Sequence, residues 1–430
     1  MGGFMKRLFT AFAGFTLVVG SSTAIAQPAP PPSPFVSEGH PAQWVFAYKL
    51  NAGAFPTPLD DLGRACPFGG TPRMSTGGGE GLGQQYLVAS SDQPRLRMGN
   101  GLIGASLQDP LGATFSQIYN GNYSYVVWND QFQGHPMRDR SGSWGHSKGI
   151  IAWNQNGDGI VLQVTTPAWP GSGSDHHRRQ GEGNTLGCIG GRNNMTNAQH
   201  FFALALSRSD VARVLEALEN ASVVTNVDND TIVNVAAEPS ELRTIAMRLG
   251  VRHRGTEVTD VTLSSGVRLL SKPSRLRVPP WQLVSAMLTA PGAPNGPALR
   301  AATWSGSPLI PDTTQPGDPG CWGFRLHPGP VASARRGTWG GREFGLAMGS
   351  NHAKIGVSTD GSAFYTIFGD LNQQGSLTPA DRRCSSSQNG RGGLFFVIDN
   401  RDLHDCVAEL IADVDPTLAV PTPRICDPGP

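Results

Sequence analysis

Apolar residues in this chain fall into short runs broken by glycine- and asparagine-rich turns, a pattern of strands rather than of long helices. Gln43–Leu50, Tyr123–Trp128, Phe201–Leu206, Val258–Leu270 and Leu299–Trp304 read as strands. Lys148–Trp153 and Ile160–Thr166 read as a hairpin around Asn156-Gly157-Asp158-Gly159. Phe344–Gly349, Ile355–Ser358 and Ala363–Phe368 follow, and Gly393–Ile398 is apolar throughout, as a central strand is. Helical spacing interrupts this pattern four times. After a cap at Ser209, Val211, Val214, Leu215 and Leu218 share a face. A second helix starts near Pro239 and Ser240, buries Leu242, Ile245 and Leu249, and ends at Gly250. A short one covers Trp281–Leu288, and a last one starts at Asp402 and buries Leu403, Val407, Leu410 and Ile411. Strands and helices alternate, and the two halves carry similar strand–turn–strand units. The expected fold is an α/β sandwich with internal pseudo-twofold symmetry.

Composition agrees: Gly 55 and Pro 34 among 430 residues, with 16% charged, favour many strands and turns. The start reads as a secretory leader, with Lys6 and Arg7, an apolar run Leu8–Gly20 too short to span a bilayer, and Ala24-Ile25-Ala26 before Gln27. Residues 27–36 are then a proline-rich linker. No later apolar run approaches membrane-spanning length, so an exported, non-membrane protein is expected. The six cysteines, Cys66, Cys188, Cys321, Cys384, Cys406 and Cys426, suggest three disulfides of open pairing, with Cys426 pinning the tail. None has zinc-type spacing. Formal charge is +1, and −1 once Lys6 and Arg7 leave, so a polyanion must be gripped by a local patch. Ten histidines make the chain more cationic in acid.

The chemistry centres on a repeat. His146-Ser147-Lys148 is followed by Val164-Thr165-Thr166-Pro167, and His352-Ala353-Lys354 by Gly369-Asp370-Leu371-Asn372. On extended backbone, residues two apart face one side. An imidazole can attack phosphorus or pass a proton near neutral pH. An ammonium beside it neutralises phosphoryl oxygens. One His-x-Lys occurs by chance in many chains; two with matched surroundings point to two lobes that share one seam. That set supplies a nucleophile, an acid and two cations without calling on a metal. Two other segments have the composition of phosphate grips. Arg268, Lys272, Arg275 and Arg277 cluster after a strand, and Asp175-His176-His177-Arg178-Arg179 lies in a Gly/Ser-rich loop. Each reads equally well as a solvated surface.

The ordered motifs resemble the deoxyribonuclease II family. They run from Gly39-His40-Pro41-Ala42-Gln43-Trp44 and Tyr48-Lys49-Leu50 through Trp128-Asn129-Asp130-Gln131, Gly145-His146-Ser147-Lys148-Gly149 and Gly183–Cys188. Val261-Thr262-Leu263, Ser271-Lys272, His352-Ala353-Lys354, Gly369–Asn372 and Arg391-Gly392-Gly393 complete the set, which covers nearly all of the mature chain. The resemblance implies a phospholipase D-like fold of two pseudo-symmetric α-β-α sandwich lobes within one chain, residues 37–220 and 221–430. It implies metal-independent cleavage of DNA to 3′-phosphate and 5′-hydroxyl ends, with no cofactor, favoured in acid. His146 would attack to form a phosphohistidine and His352 would protonate the leaving oxygen, roles that near-symmetry makes easy to exchange. Lys148 and Lys354 would stabilise the pentavalent phosphorus. Thr165, Asp370 and Asn372, with Lys272 and Arg275, would orient or bind phosphate.

The chain departs from phospholipase D motifs where an acid is expected after each lysine. Trp153 and Thr359 stand there, and Asn154 and Asp360 come one residue later. The leader has a bacterial look, which implies a periplasmic or secreted protein rather than a lysosomal one. DNA is the expected partner, and a homodimer would widen the clamp without being required for chemistry. Two rival readings are another phosphodiesterase of the superfamily, acting on RNA or lipid, and a non-catalytic exported DNA-binding protein. Two intact His-x-Lys pairs weigh against the latter.

Overall fold

The computed structural model describes residues 1–2, 29–56, 84–104, 106–132, 142–167, 169–170, 196–230, 232–235, 239–304, 321, 326–374, 388–412 and 426. Residues 3–26 of the leader, Cys66, the Asp175–Arg179 segment, Cys188 and Cys384 lie outside these residues.

The first half contains β1 (Phe35–Ser37), β2 (His40–Pro41), β3 (Trp44–Lys49), β4 (Tyr86–Ser90), β5 (Arg97–Met98), α1 (Pro110–Asn120), β6 (Ser124–Asn129), β7 (Lys148–Trp153), β8 (Gly159–Val164), β9 (Gln199–Leu206) and α2 (Arg208–Asn220). Next come β10 (Val233–Asn234), α3 (Ser240–Ala246), β11 (Thr259–Thr262), β12 (Arg268–Lys272), α4 (Pro280–Met287), β13 (Leu299–Ala302), β14 (Val331–Ser333), β15 (Arg336–Trp339) and β16 (Arg342–Gly345). The chain closes with β17 (Ile355–Ser358), β18 (Tyr365–Gly369), β19 (Gly393–Asp399) and α5 (Arg401–Leu410).

Two large sheets result. One has eight strands in the order β10-β6-β7-β8-β9-β3-β4-β5, the other seven in the order β11-β12-β19-β18-β17-β13-β14. The two sheets share one local succession of elements. A His-x-Lys opens β7 in one sheet and β17 in the other. Each is followed by an antiparallel hairpin partner, a third antiparallel strand and then a helix: β7, β8, β9, α2 and β17, β18, β19, α5.

The sheets face each other through one core. Phe202 of β9 stacks on Phe368 of β18 at 4.5 Å between centroids, and Phe46 of β3 lies 4.6 Å from Phe368. Phe396 of β19 completes the group, 5.4 Å from Phe202. All four rings are buried, each worth about 2–3 kcal/mol of burial. Helix α2 belongs to the first half by sequence, yet it bonds to the second sheet: Ser271 Oγ donates to Ala217 O at 2.7 Å, and Asn220 Nδ2 donates to Ser271 O at 3.1 Å.

Several elements differ from the sequence reading. Helix α2 is capped by Ser207, not Ser209, because Asp210 at the third helical position completes a capping box with it. Val258–Leu270 is not one strand but the hairpin β11–β12, broken at Gly266, whose φ of 83° suits a residue without a side chain. Strands β14 and β15 are additional to the predicted elements. Helix α1 is additional to the predicted elements, although Asp109 caps it and Pro110 starts it, a recognisable entry signal. Cys406 and Cys426 form a disulfide and Cys321 is disulfide-bonded. Among the described residues no helix is long and apolar enough to cross a membrane.

Candidate active site at the seam between the sheets

Each His-x-Lys is clamped by the opposite sheet. Gly145 forms a parallel bridge with Gly392, and His146 N donates to Gly392 O at 2.8 Å. Gly392 is the residue that precedes β19. Asn351 forms the matching bridge with Ala198, and His352 N donates to Ala198 O at 2.7 Å. Ala198 is the residue that precedes β9. A side chain at Gly392 would place its Cβ 2.0 Å from Ala221 O, so the bridge at this point requires glycine.

Two buried lysines support these clamps. Lys49, at the end of β3, donates from Nζ to Asn197 O at 2.5 Å, one residue before Ala198. Lys272, at the end of β12, donates to Asn389 O and Arg391 O at 2.8 Å each, just before Gly392. The strands β3 and β12 hold equivalent places beside β9 and β19. Burial pushes each ammonium down to about 7, while the carbonyls around it favour the charged form.

Between the clamps lies a charged network. Asp130 follows β6 and is fully buried. Its Oδ1 accepts from Lys148 Nζ at 2.5 Å and its Oδ2 from Arg391 Nη2 at 2.6 Å. Burial alone would raise this carboxyl, but the two cations hold it below the usual range. Arg391 also donates to the carbonyls of Gly145 at 2.9 Å and Trp144 at 3.2 Å, so it fixes the backbone that leads into His146. Lys354 Nζ donates to His352 O at 2.7 Å. Burial and the nearby Lys148 push Lys354 down to about 7.

A second network runs from sheet to sheet. Asp370 accepts from Leu394 N at 2.8 Å, from Gln163 Nε2 at 2.9 Å and from the Ser147 side chain. Burial nonetheless raises it to about 7. His200, on β9, accepts the Lys354 backbone N–H at Nδ1 (3.1 Å), with Nε2 3.5 Å from Gln163 Oε1. Acceptance at Nδ1 fixes the tautomer that carries its proton on Nε2. Burial, aided by Lys354, holds the ring neutral.

The two candidate histidines share one electrostatic environment. Burial first, then Lys148, Arg391, Lys354 and His352, drives His146 well below the ordinary histidine value. Burial, Lys354, Lys148 and Lys49 bring His352 down to about 2. Both residues are half-buried, in contrast to the buried lysines beside them. His146 Nδ1 is enclosed without a hydrogen-bond partner among the described residues. Trp304 lies 6.1 Å from the His352 ring. The arrangement is two neutral imidazoles among Lys148, Lys354 and Arg391: a cationic surrounding suited to an anion, with two groups able to attack or exchange protons.

The structure thus brings His146, Lys148, His352 and Lys354 to one seam. The other expected residues have different surroundings. The Thr165 hydroxyl is engaged with the backbone of His200, accepting from its N at 2.8 Å. Asp370 is a tie between sheets. Asn372 is buried, with its backbone N donating to Gln388 Oε1 at 3.2 Å and its Oδ1 unpartnered among the described residues. The Lys272 ammonium is held by the carbonyls of Pro273, Asn389 and Arg391, so the expectation that it grips phosphate gives way to a role as a buried anchor. Arg275 is exposed, outside the buried network. Gln163 and His200 are chemical residues that the sequence pattern does not single out, and Asp130, Arg391 and Lys49 stand there within motifs of the family resemblance but without a role. Asp130 and Arg391 carry a signal there, each being a charge set directly against an apolar strand.

Comparison with known proteins bears on part of the chain. Residues 71–274 match the profile of the deoxyribonuclease II family. The match includes the first His-x-Lys, whereas His352 and Lys354 lie beyond it. Deoxyribonuclease-2-beta from Rattus norvegicus is 32% identical over 104 residues, 23% of this chain. The aligned part spans 28% of that relative's length.

Proposed function

We propose that this chain is an exported endodeoxyribonuclease of the deoxyribonuclease II kind, its two sheets being two copies of a phospholipase D-like unit in one chain. The observation that carries the reading is the reciprocal clamp, which sets two His-x-Lys pairs against each other across one seam. The family match over the first pair supports DNA as substrate.

In the proposed reaction, a DNA phosphodiester enters between Lys148 and Lys354. A neutral His146 nitrogen attacks phosphorus and the bond to the 5′ oxygen breaks, that oxygen taking a proton from His352. The phosphohistidine keeps the 3′ ester. Water then attacks with His352 removing its proton, the P–N bond breaks, and a 3′-phosphate is left. Lys148, Lys354 and Arg391 offset the charge on the pentavalent phosphorus. No step calls for a metal.

The lowered basicity of both histidines explains why acid should favour the reaction. With no anion bound, the surrounding cations keep the proton off His352. The phosphodiester brings a negative charge that makes protonation of one ring acceptable. Productive binding therefore takes up a proton, and lower pH promotes it. Lys354, at about 7, is also more fully charged in acid.

A plasmid-nicking assay from about pH 4 to 8, in excess chelator, tests the proposal on the protein and on His146→Ala and His352→Ala. The expected result is chelator-resistant nicking by the unmutated protein that both substitutions abolish, with end-labelling showing 3′-phosphate. No nicking at any pH, or nicking that survives both substitutions, overturns it.

A further inference from the structure

The four cations between Arg268 and Arg277 are separated by the structure. Arg268 is paired with Asp260 at 2.6–2.7 Å, and Lys272 is buried. Arg275 and Arg277 remain exposed, with no carboxylate partner among the described residues. A second basic run, Arg252-His253-Arg254, lies beyond α3, and its two arginines are likewise exposed and unpaired among the described residues. Neighbouring arginines behave differently: Arg208 is paired with Glu241 and Arg248 with Glu219.

These two loops converge on one buried residue, Ser222. Its Oγ accepts His253 N at 3.0 Å and lies 3.3 Å from Ser274 Oγ. Its carbonyl accepts Gly145 N at 2.9 Å. Arg252 and Arg254 therefore flank one anchor, Arg275 follows the other, and the third anchor precedes His146. Ser222 has a φ of 58°, the one positive value outside glycine among the described residues. A serine in that region is uncommon, and here the strained corner ties both loops to the active strand. The nearest acid along either loop is the exposed Glu257, three residues beyond Arg254. It reduces the charge of the group without reversing it.

We propose that Arg252, Arg254, Arg275 and Arg277 form a phosphate track that holds the backbone of a long polynucleotide beside the first His-x-Lys. The track rests on the nuclease reading for its partner and extends it: the preferred substrate is a strand several nucleotides long, not a dinucleotide. Its contacts are to phosphates, so it contributes affinity without sequence preference. An anionic membrane presents similar phosphates, but the link through Ser222 to His146 favours the strand being cleaved.

The test compares the protein with a variant carrying Arg→Ala at all four positions and with one carrying Arg→Lys. Cleavage of a 30-base-pair duplex and of bis(p-nitrophenyl) phosphate is measured across a salt series. The alanine variant should raise KM for the duplex at least tenfold at about 0.1 M salt, while lysine restores most of it. The ratio of kcat/KM for duplex to that for the small diester should fall at least tenfold. The slope of log kcat/KM against log salt should become shallower by up to about 3.6, from about 0.9 for each phosphate that is no longer neutralised. An unchanged duplex KM and salt slope would overturn the track. So would loss of binding to anionic phospholipid vesicles with duplex cleavage intact. Duplex binding by anisotropy, in a His146→Ala background, separates the two levels: if the parent cleaves neither substrate, the nuclease reading fails, and the salt slope of binding still decides on the track.

Discussion

The Asp130 carboxylate is the point at which the two halves can be uncoupled. It is shared by Lys148 of the first half and Arg391 of the second. Asp130→Asn keeps the size and removes the charge. At the observed 2.5 and 2.6 Å, each ion pair carries about 6 kcal/mol of attraction at an effective dielectric of about 20. Burial of the three ions offsets most of this, at several kcal/mol for each. The variant keeps the cost of two buried cations and loses their counter-charge, a change worth about 3–5 kcal/mol. Arg391 retains two carbonyls, which places the expected loss at the low end, about 3 kcal/mol. Urea unfolding followed by tryptophan fluorescence measures it through the shift in midpoint at constant slope. The pH dependence has a definite sign. A carboxyl held below its unfolded value, about 3.9, contributes its stability above that value and loses it as pH falls through the native one. The gap between protein and variant should be flat from about pH 5 to 8 and close in stronger acid. A variant within about 1 kcal/mol of the parent at pH 7, or a gap that widens in acid, would refute the assignment of Asp130 as the counter-charge.

Other expectations follow from the same geometry. If a phosphodiester brings a proton with it, calorimetry in buffers of different ionisation heat should show about one proton taken up per bound oligonucleotide near neutral pH, and kcat/KM should rise as pH falls. Lys272→Met should remove a rise in stability above neutral pH: with a folded value about 7 and an unfolded value about 10.4, a buried lysine adds up to about 1.4 kcal/mol per pH unit in that window. Parallel stability curves for parent and variant from about pH 7 to 10 would contradict this. His200→Leu strips partners from the Lys354 N–H and Gln163, so it should destabilise the fold by about 1–3 kcal/mol and lower kcat more than it raises KM. Urea unfolding and steady-state kinetics check both.

What is legible in the sequence is local and periodic. The strands that carry the site, β7, β8, β9, β17, β18 and β19, announce themselves by apolar runs and turn residues, and the His-x-Lys repeat points to the four residues that meet at the seam. The lateral partners are not legible. Lys272 lies in a basic cluster and looks like a surface grip, because pairing and burial are set by residues far along the chain: the carbonyls that hold it are at 389 and 391. Arg391 meets Asp130 across 261 positions, and Gln163 meets Asp370 across 207. No window of sequence contains such a pair. Helix α1 escapes for a different reason. Its entry signal at Asp109 and Pro110 is present, but Gly112 in its first turn weakens the helical pattern of Leu111, Phe115 and Ile118.

The central claim is that His146 and His352 act on one phosphorus, one attacking and one supplying a proton. Cleavage of an oligonucleotide and of a thymidine 3′-phosphodiester whose leaving group is p-nitrophenolate, by His146→Ala and His352→Ala, tests it most directly. p-Nitrophenolate leaves without a proton, so loss of the acid is tolerated while loss of the nucleophile is not. The account predicts that both variants lose oligonucleotide cleavage by at least about 100-fold, and that only His352→Ala still releases p-nitrophenolate from the activated ester, as a burst of about one per enzyme because the water of the second step also needs His352. If either variant cleaves the oligonucleotide within about tenfold of the parent, or if both retain the activated ester, the two histidines do not form one site.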